Sequence, residues 1–344
     1  MSFPEEHLDS PVGYFPAEIG KPVKYGEWTI VRKLGYGPRS STWMAIQNKQ
    51  KNYAALKIFT VAATADGSAQ NEQKILYLIR GLSNTPRIQQ HFNEQSVHGE
   101  HLCLALNSLT FSLETLRLNN TEEGKYLHLH IVRQILPEIL DVMGGLAKRK
   151  IIHGAILPDN ILFWSIEAAQ DIKPELEQSP CHEMVEVIGS DGEPYLTVTS
   201  QPMRQGVKWN TTREDISGVS VFLSNFSHGM TEPAPFNAPA NFLLPEVLLG
   251  EKVDCSVDMW MLGCTAYLLA TGTPLFSDSY ISSPRDVLKE TLPKLEEMLR
   301  NNGKVSRKNY VVFAKFLRSC LADDPAKRAS VEEQFDNEWI DPYY

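Results

Sequence analysis

Hydrophobic and polar positions follow two different rhythms along this chain. From Glu27 the text is strand-like: Trp28-Thr29-Ile30-Val31 leads into Leu34-Gly35-Tyr36-Gly37, and Thr42-Trp43-Met44-Ala45-Ile46 follows. Asn48 to Asn52 read as a turn before a third strand, Tyr53-Ala54-Ala55-Leu56-Lys57-Ile58-Phe59. The spacing predicts a helix over 69–82, with Ile75, Leu76, Leu78 and Ile79 apolar, and a further strand over 101–106. After that the period lengthens. Ile131, Ile135, Ile139, Met143 and Leu146 recur at three- or four-residue spacing and predict a helix over 127–148, bent at Pro137. Residues 165–214 are polar and carry Pro174, Pro180, Pro194 and Pro202 without a clear period, which reads as an insertion with little core. From Pro245 to Trp339-Ile340 the pattern is helical again. The expected organisation is an extended segment over 1–24, a small β-rich lobe over 25–109 and a larger helical lobe over 110–344, an α+β bilobal chain with a cleft at the joint.

Charge narrows the partners. Among 344 residues, Lys plus Arg number 33 against 42 Asp plus Glu, for a formal net charge of −9. That balance gives no support for nucleic-acid binding, which needs a basic footprint, and leaves a basic protein segment as a compatible partner. Five scattered cysteines (Cys103, Cys181, Cys255, Cys264, Cys320) form no Cys-x-x-Cys pair and suggest neither a disulfide framework nor a zinc site. The longest uncharged stretch of the helical half, residues 259–277, is broken by Gly263, Gly272 and Pro274 and reads as a core helix rather than a membrane span. The N-terminal residues hold Glu5, Glu6 and Asp9 and no apolar run of signal-peptide length, so the expected setting is intracellular, cytoplasmic or nuclear, without a membrane partner.

Three features carry candidate chemistry. Gly35-x-Gly37 between two strands would let backbone N–H groups approach phosphates closely. Lys57 lies inside an apolar strand and needs a partner, for which Glu72 on the next helix is the natural candidate. The third is Ile151-Ile152-His153-Gly154-Ala155-Ile156-Leu157-Pro158-Asp159-Asn160-Ile161-Leu162, which resembles the catalytic loop of a protein kinase. Leu244-Pro245-Glu246, Val257-Asp258-Met259-Trp260 and Arg328 resemble the end of the activation segment, the central helix of the large lobe and the arginine that pairs with the Glu246 position. Gly13-Tyr14-x-Pro16, Ser40 at the third loop-glycine position, and Ser190-Asp191-Gly192 to Ser200-x-Pro202-Met203 are similar to the serine/arginine-protein kinases, in particular to fungal-type relatives. The resemblance covers about residues 13–342.

That resemblance implies a kinase fold, with Gly35, Gly37, Ala55, Lys57, Glu72 and Leu162 as nucleotide-binding positions. It also implies an apolar column of Leu76, His153 and Phe226 anchored by Asp258. The departures bear on activity. The position of the catalytic aspartate is Ala155, whose methyl cannot accept a proton, and general-base help is worth roughly 10²–10⁴ in rate. The lysine expected two residues later is Leu157, and the magnesium-binding aspartate is Asn225, in Leu223-Ser224-Asn225-Phe226-Ser227. Asn160 remains as the other metal position. Thr42 replaces the valine usual beside adenine. A register shift that would make Asp159 the base misplaces both His153 and Asn160. No catalytic residue is therefore assigned. The candidate cofactors are ATP and, at Asn160 and Asn225, a magnesium ion deprived of its carboxylate ligand. The reading that follows is a pseudokinase acting as a nucleotide-binding scaffold or regulatory module. The alternatives are a weakly active ATP-dependent Ser/Thr kinase, or a kinase body turned to other chemistry.

Overall fold

A computed structural model describes residues 13–120, 124–164, 172–182, 185–188, 194–203, 206–231, 244–276 and 291–340. They fall into two compact units. The first comprises the chain up to Arg80, Pro86–Phe111 and the described part of Trp164–Gln205; the second comprises Gly81–Thr85, Ser112–Phe163 and the described residues from Gly206 onward.

Among its described residues the first unit has a six-stranded antiparallel sheet with two helices, the short helix Ile172–Gln178 and a two-stranded sheet of Val185–Ile188 and Pro194–Thr197. The strands of the larger sheet are β1 (Pro22–Val23), β2 (Trp28–Gly37), β3 (Ser40–Gln47), β4 (Tyr53–Phe59), β5 (Ile88–Ser96) and β6 (Gly99–Leu106), in the order β1-β2-β3-β4-β6-β5. Helices α1 (Val61–Ala65) and α2 (Ser68–Leu78) lie between β4 and β5 in the chain. Period-2 alternation sends Trp28, Ile30, Trp43, Ala45, Ala54, Leu56 and Ile58 into one buried cluster. Strand β5 was invisible to the hydrophobic pattern, because Ile-Gln-Gln-His-Phe-Asn-Glu-Gln-Ser is largely polar and sits at the sheet edge.

Residues 165–214 depart from the expectation of an insertion with little core in the helical lobe. Val198 is buried in the main cluster of the first unit, together with Phe15, Ala17 and Val23 of the N-terminal lead-in. On the other side of the sheet Ile172 and Met203 pack against Met44. A short helix, Ile172–Gln178, brings Glu175 to Arg32, whose guanidinium is almost wholly buried and also bonds the Ser179 carbonyl. A register shift in the β2–β3 pairing lies between Lys33 and Gly35, and the Lys33 carbonyl accepts the Gln201 N–H at 2.8 Å. The insertion therefore supplies part of the first unit's core from apolar residues too irregularly spaced to show a period. The lead-in from Gly13 is likewise packed rather than simply extended.

The second unit is built on α3 (Leu113–Leu118), α4 (Leu129–Ala147), α5 (Ser256–Thr271), α6 (Leu295–Asn302), α7 (Arg307–Cys320) and α8 (Val331–Phe335). Pro137 lies within α4 without ending it, and the predicted apolar face, Ile131 to Leu146, is buried. Helix α5 is buried on nearly every side, as befits a central core helix. It ends at Gly272, whose left-handed φ of 79° lets its N–H reach the Leu268 carbonyl at 2.8 Å. Among the described residues no helix is long and apolar enough to cross a membrane. Two short sheets complete the unit: β7 (Ile151–Ile152) pairs with β10 (Met230–Thr231), and β8 (Ile161–Trp164) with β9 (Ser220–Leu223).

Candidate functional site

In the first unit the sequence places a lysine on a strand whose register leaves little choice of partner. Lys57 sits opposite Thr42 on β3 and Leu104 on β6, and its side chain is nine-tenths withdrawn from water. An isolated ammonium there would be strongly destabilising. Glu72, on the buried face of α2, answers it: Lys57 Nζ lies 2.7 Å from both Glu72 carboxylate oxygens. The pair predicted from sequence spacing is formed.

Gly35 and Gly37 face Thr42 and Ser40 across the β2–β3 hairpin. Neither has a left-handed φ, and a Cβ at either would meet nothing within 4 Å. Turn geometry thus does not demand glycine here; what the two residues leave is open space that side chains would partly fill. The hairpin tip is held from three directions. Tyr14 donates its hydroxyl to the Gly37 carbonyl at 2.6 Å, the Thr60 N–H donates to the Arg39 carbonyl at 2.9 Å, and the Arg39 guanidinium bonds Ser68 Oγ and the Asp66 carboxylate. The Arg39 contacts had no signature in the sequence, whereas Tyr14 belongs to the quoted Gly13-Tyr14-x-Pro16. Ala55 is buried in β4 and Thr42 is half-buried. Open glycine space beside a buried lysine–glutamate pair could receive the phosphates of a nucleotide, for which Lys57 would supply the charge and Glu72 would orient it.

In the second unit the loop after β7 is ordered by Asp258 at the start of α5. Its carboxylate accepts the N–H of His153 at 2.7 Å and of Gly154 at 2.8 Å. The His153 ring is fixed in one tautomer: Nδ1 accepts the Ala155 N–H at 3.2 Å, so Nε2 carries the proton and donates to the Ser224 carbonyl at 3.0 Å. Burial pushes its pKa down to about 4, so the ring is neutral and structural. Phe226 meets it edge-on, with centroids 4.6 Å apart. Leu76, assigned to the same apolar column, is buried within the first unit.

Ala155 is buried, and its carbonyl accepts Asn160 Nδ2 at 2.9 Å. Asn160 in turn accepts Asn225 Nδ2 at its Oδ1, also at 2.9 Å. Asn225, left-handed at φ 61°, accepts the Ser227 hydroxyl at 3.0 Å on its remaining amide oxygen. The chain Ser227–Asn225–Asn160–Ala155 is therefore a closed series of neutral hydrogen bonds. An aspartate at 225 could not make the central link, since two oxygen acceptors would face each other. Magnesium prefers carboxylate and phosphate oxygens. Two amide oxygens offer dipoles where it takes a negative charge, and among the described residues no group of three His, Cys, Asp or Glu is gathered for a metal. Leu157 is half-buried and His228 exposed. Asp159 is exposed and lies within reach of Ser112, Glu114 and Arg117. Leu162 is half-buried, bridged to Ser112. Farther down the unit Arg328 donates to both oxygens of Glu246 at 2.7 Å, a bidentate buried pair.

The chain is similar to known protein kinases. The protein kinase domain profile matches residues 219–340. The serine/threonine-protein kinase SRPK of Physarum polycephalum is 26% identical over 287 residues, covering 77% of this chain and 65% of that protein. The serine/threonine-protein kinase spk-1 of Caenorhabditis elegans is 30% identical over 158 residues, 44% of this chain and 16% of the relative. The dual specificity tyrosine-phosphorylation-regulated kinase 4 of Homo sapiens is 23% identical across 98% of this chain and 61% of its own length. The chain thus spans less than two thirds of each of these relatives. The crystal structure of the kinase domain PF14_0431 superposes with a TM-score of 0.66 at 20% identity, covering 96% of this chain and 100% of the other.

Proposed function

We propose that this chain, whose residues 219–340 match the protein kinase domain profile and which has SRPK homologues at modest identity, is an SRPK-like pseudokinase, one that binds nucleotide through Lys57 and performs little or no phosphoryl transfer. The observation that carries the reading is the Asn225–Asn160 hydrogen bond. It joins by a neutral bond two positions at which a working kinase of this type bridges its ligands with a metal ion. The buried methyl of Ala155 and the isobutyl group of Leu157 support the same reading, because neither can accept a proton or counter phosphate charge. When bound, ATP would supply a nucleotide-dependent stabilisation of the body, and Lys57 and Glu72 would hold its phosphates. Its partner class is a protein surface, and the net charge of −9 favours a basic segment. None of the five cysteines is in a disulfide, which accords with a reducing, intracellular setting.

The test combines a γ-phosphoryl transfer assay with thermal unfolding. ATP should raise the unfolding midpoint equally with magnesium and with a chelator, and turnover should not exceed that of Lys57→Ala. A magnesium-dependent shift accompanied by turnover above the Lys57→Ala background would sink the proposal. The second reading, a slow Ser/Thr kinase, draws on the intact Lys57–Glu72 pair, since phosphoryl transfer rests largely on positioning. It expects the double variant Ala155→Asp/Asn225→Asp to gain activity by a factor of 10² or more, as an order of magnitude for a restored general base.

A further inference from the structure

A pocket of about 370 Å³ in the second unit lies well away in sequence from every residue assigned above, at the start of α4 and of α7. Three cationic side chains from three separate segments line it: Arg133 of α4, Arg213 of the short helix Arg213–Ile216, and Lys304 before α7. His128, His130 and Ser306 complete the wall, and among the described residues none that line it is acidic. In a chain of net charge −9 such a concentration of positive charge runs against the average composition.

The side chains are held in place rather than loose. The His128 ring stacks on Trp209, with centroids 5.6 Å apart, and on Tyr126 at 6.0 Å. Lys304 Nζ lies 4.7 Å from the Tyr126 ring centre, and the Arg133 guanidinium 5.1 Å from that of Trp339. His130 Nε2 donates to the Thr211 carbonyl at 2.7 Å. Among the described residues His128 Nε2, itself buried, has no hydrogen-bond partner. The backbone adds to the same field. His128 is the N-cap of α4, a 19-residue helix, and Ser306 the N-cap of α7, of 14 residues; neither side chain caps its helix. Two helix N-termini, each with unsatisfied N–H groups and a positive dipole end, thus border one cationic pocket.

We propose that this pocket binds a small oligophosphate anion, a molecule presenting two adjacent phosphate groups, independently of any nucleotide at Lys57. Two guanidinium groups give forked donors suited to phosphate oxygens, and the ammonium and imidazoles spread the charge over more than one phosphate. The volume suits a small molecule rather than an extended chain.

The test is calorimetric titration of the full chain with inorganic pyrophosphate in low salt without magnesium. Saturable binding is expected in the wild type and equally in Lys57→Ala. The double variant Arg213→Ala/Lys304→Ala, two exposed side chains whose loss leaves the core intact, should bind at least about tenfold more weakly. Arg213→Lys/Lys304→Arg, which keeps both charges, should stay within about threefold of wild type. Sulfate at equal ionic strength should bind far less well. The proposal is overturned by any of four results: no saturable binding below about 1 mM; binding abolished by Lys57→Ala but untouched by the double alanine variant; equal affinity for sulfate and pyrophosphate; or binding of a phosphoserine peptide where pyrophosphate does not bind.

Discussion

His153 shows how one side chain ties the kinase loop to pH. Its ring is neutral because burial holds its pKa near 4 against an ordinary value of 6.5, and because Nδ1 must remain an acceptor for the Ala155 N–H. A depressed histidine stabilises the fold fully above pH 6.5; that stability is lost as pH falls towards 4, where the unfolded chain binds a proton that the native chain refuses. The loss should approach about 3 kcal/mol, read as a falling urea midpoint over that window. His153→Asn should flatten the dependence, and an unchanged slope in the variant would refute the assignment. His101, also lowered by burial, adds in the same direction. The amide of Asn225 makes an equally local prediction. In Asn225→Asp the donor to Asn160 disappears and two acceptors oppose each other, so stability without metal should fall by about 1–2 kcal/mol. Millimolar magnesium should restore it in the variant and leave wild type unmoved. A wild-type protein stabilised by magnesium as strongly as the variant would contradict the neutral-link reading.

At the scale of elements, helix α5 is set by two close approaches. Gly263 lets α7 come so near that a Cβ would stand 2.8 Å from Cys320 Cβ. Gly272 combines a left-handed φ with a collision, since a Cβ there would strike the Gly124 carbonyl oxygen. Gly250 has a similar φ of 69° but nothing within 4 Å, which makes it an internal control. Gly250→Ala should cost about 1 kcal/mol for the backbone alone, and Gly272→Ala at least about 1–3 kcal/mol more. Equal losses in denaturant unfolding would show that the contact with Gly124 does not matter. In the first unit, helix α2 faces an analogous demand: Glu72, on its buried side, meets the ammonium that β4 brings inside. The fixed tip of the β2–β3 hairpin is likewise a property of elements, because Tyr14, Thr60, Asp66 and Ser68 come from segments on either side of it.

On the scale of the whole molecule, the insertion changes what counts as core. Val198 is buried in the same cluster as Trp28 and Leu56, so Val198→Ala should cost about 2 kcal/mol, as two buried methylene equivalents plus a small cavity. A substitution in a solvated loop would be neutral, and a neutral result in thermal unfolding would return the insertion to that status. The charge pattern works at the same scale. The net charge of −9 conceals the cationic pocket at the start of α4 and α7, because Arg133, Arg213 and Lys304 are far apart in sequence and only folding gathers them.

The amino-acid order alone determined the strands β2 to β4 and β6, the long helix around Ile131 to Leu146, and the pairing of Lys57 with Glu72. These are consequences of short-range periodicity and of the rule that a buried charge needs a partner. It also placed Ala155, Leu157 and Asn225 at the positions where the kinase resemblance expects two carboxylates and an ammonium. Tertiary structure decided the rest. The polar strand β5 exists because β6 offers it an edge, and Val198, Ile172 and Met203 are core because they meet a sheet folded from residues far earlier in the chain. The hydrogen-bonded link between Asn160 and Asn225 joins residues 65 positions apart. No local pattern can encode such contacts, because their energy appears only when distant segments exclude water together.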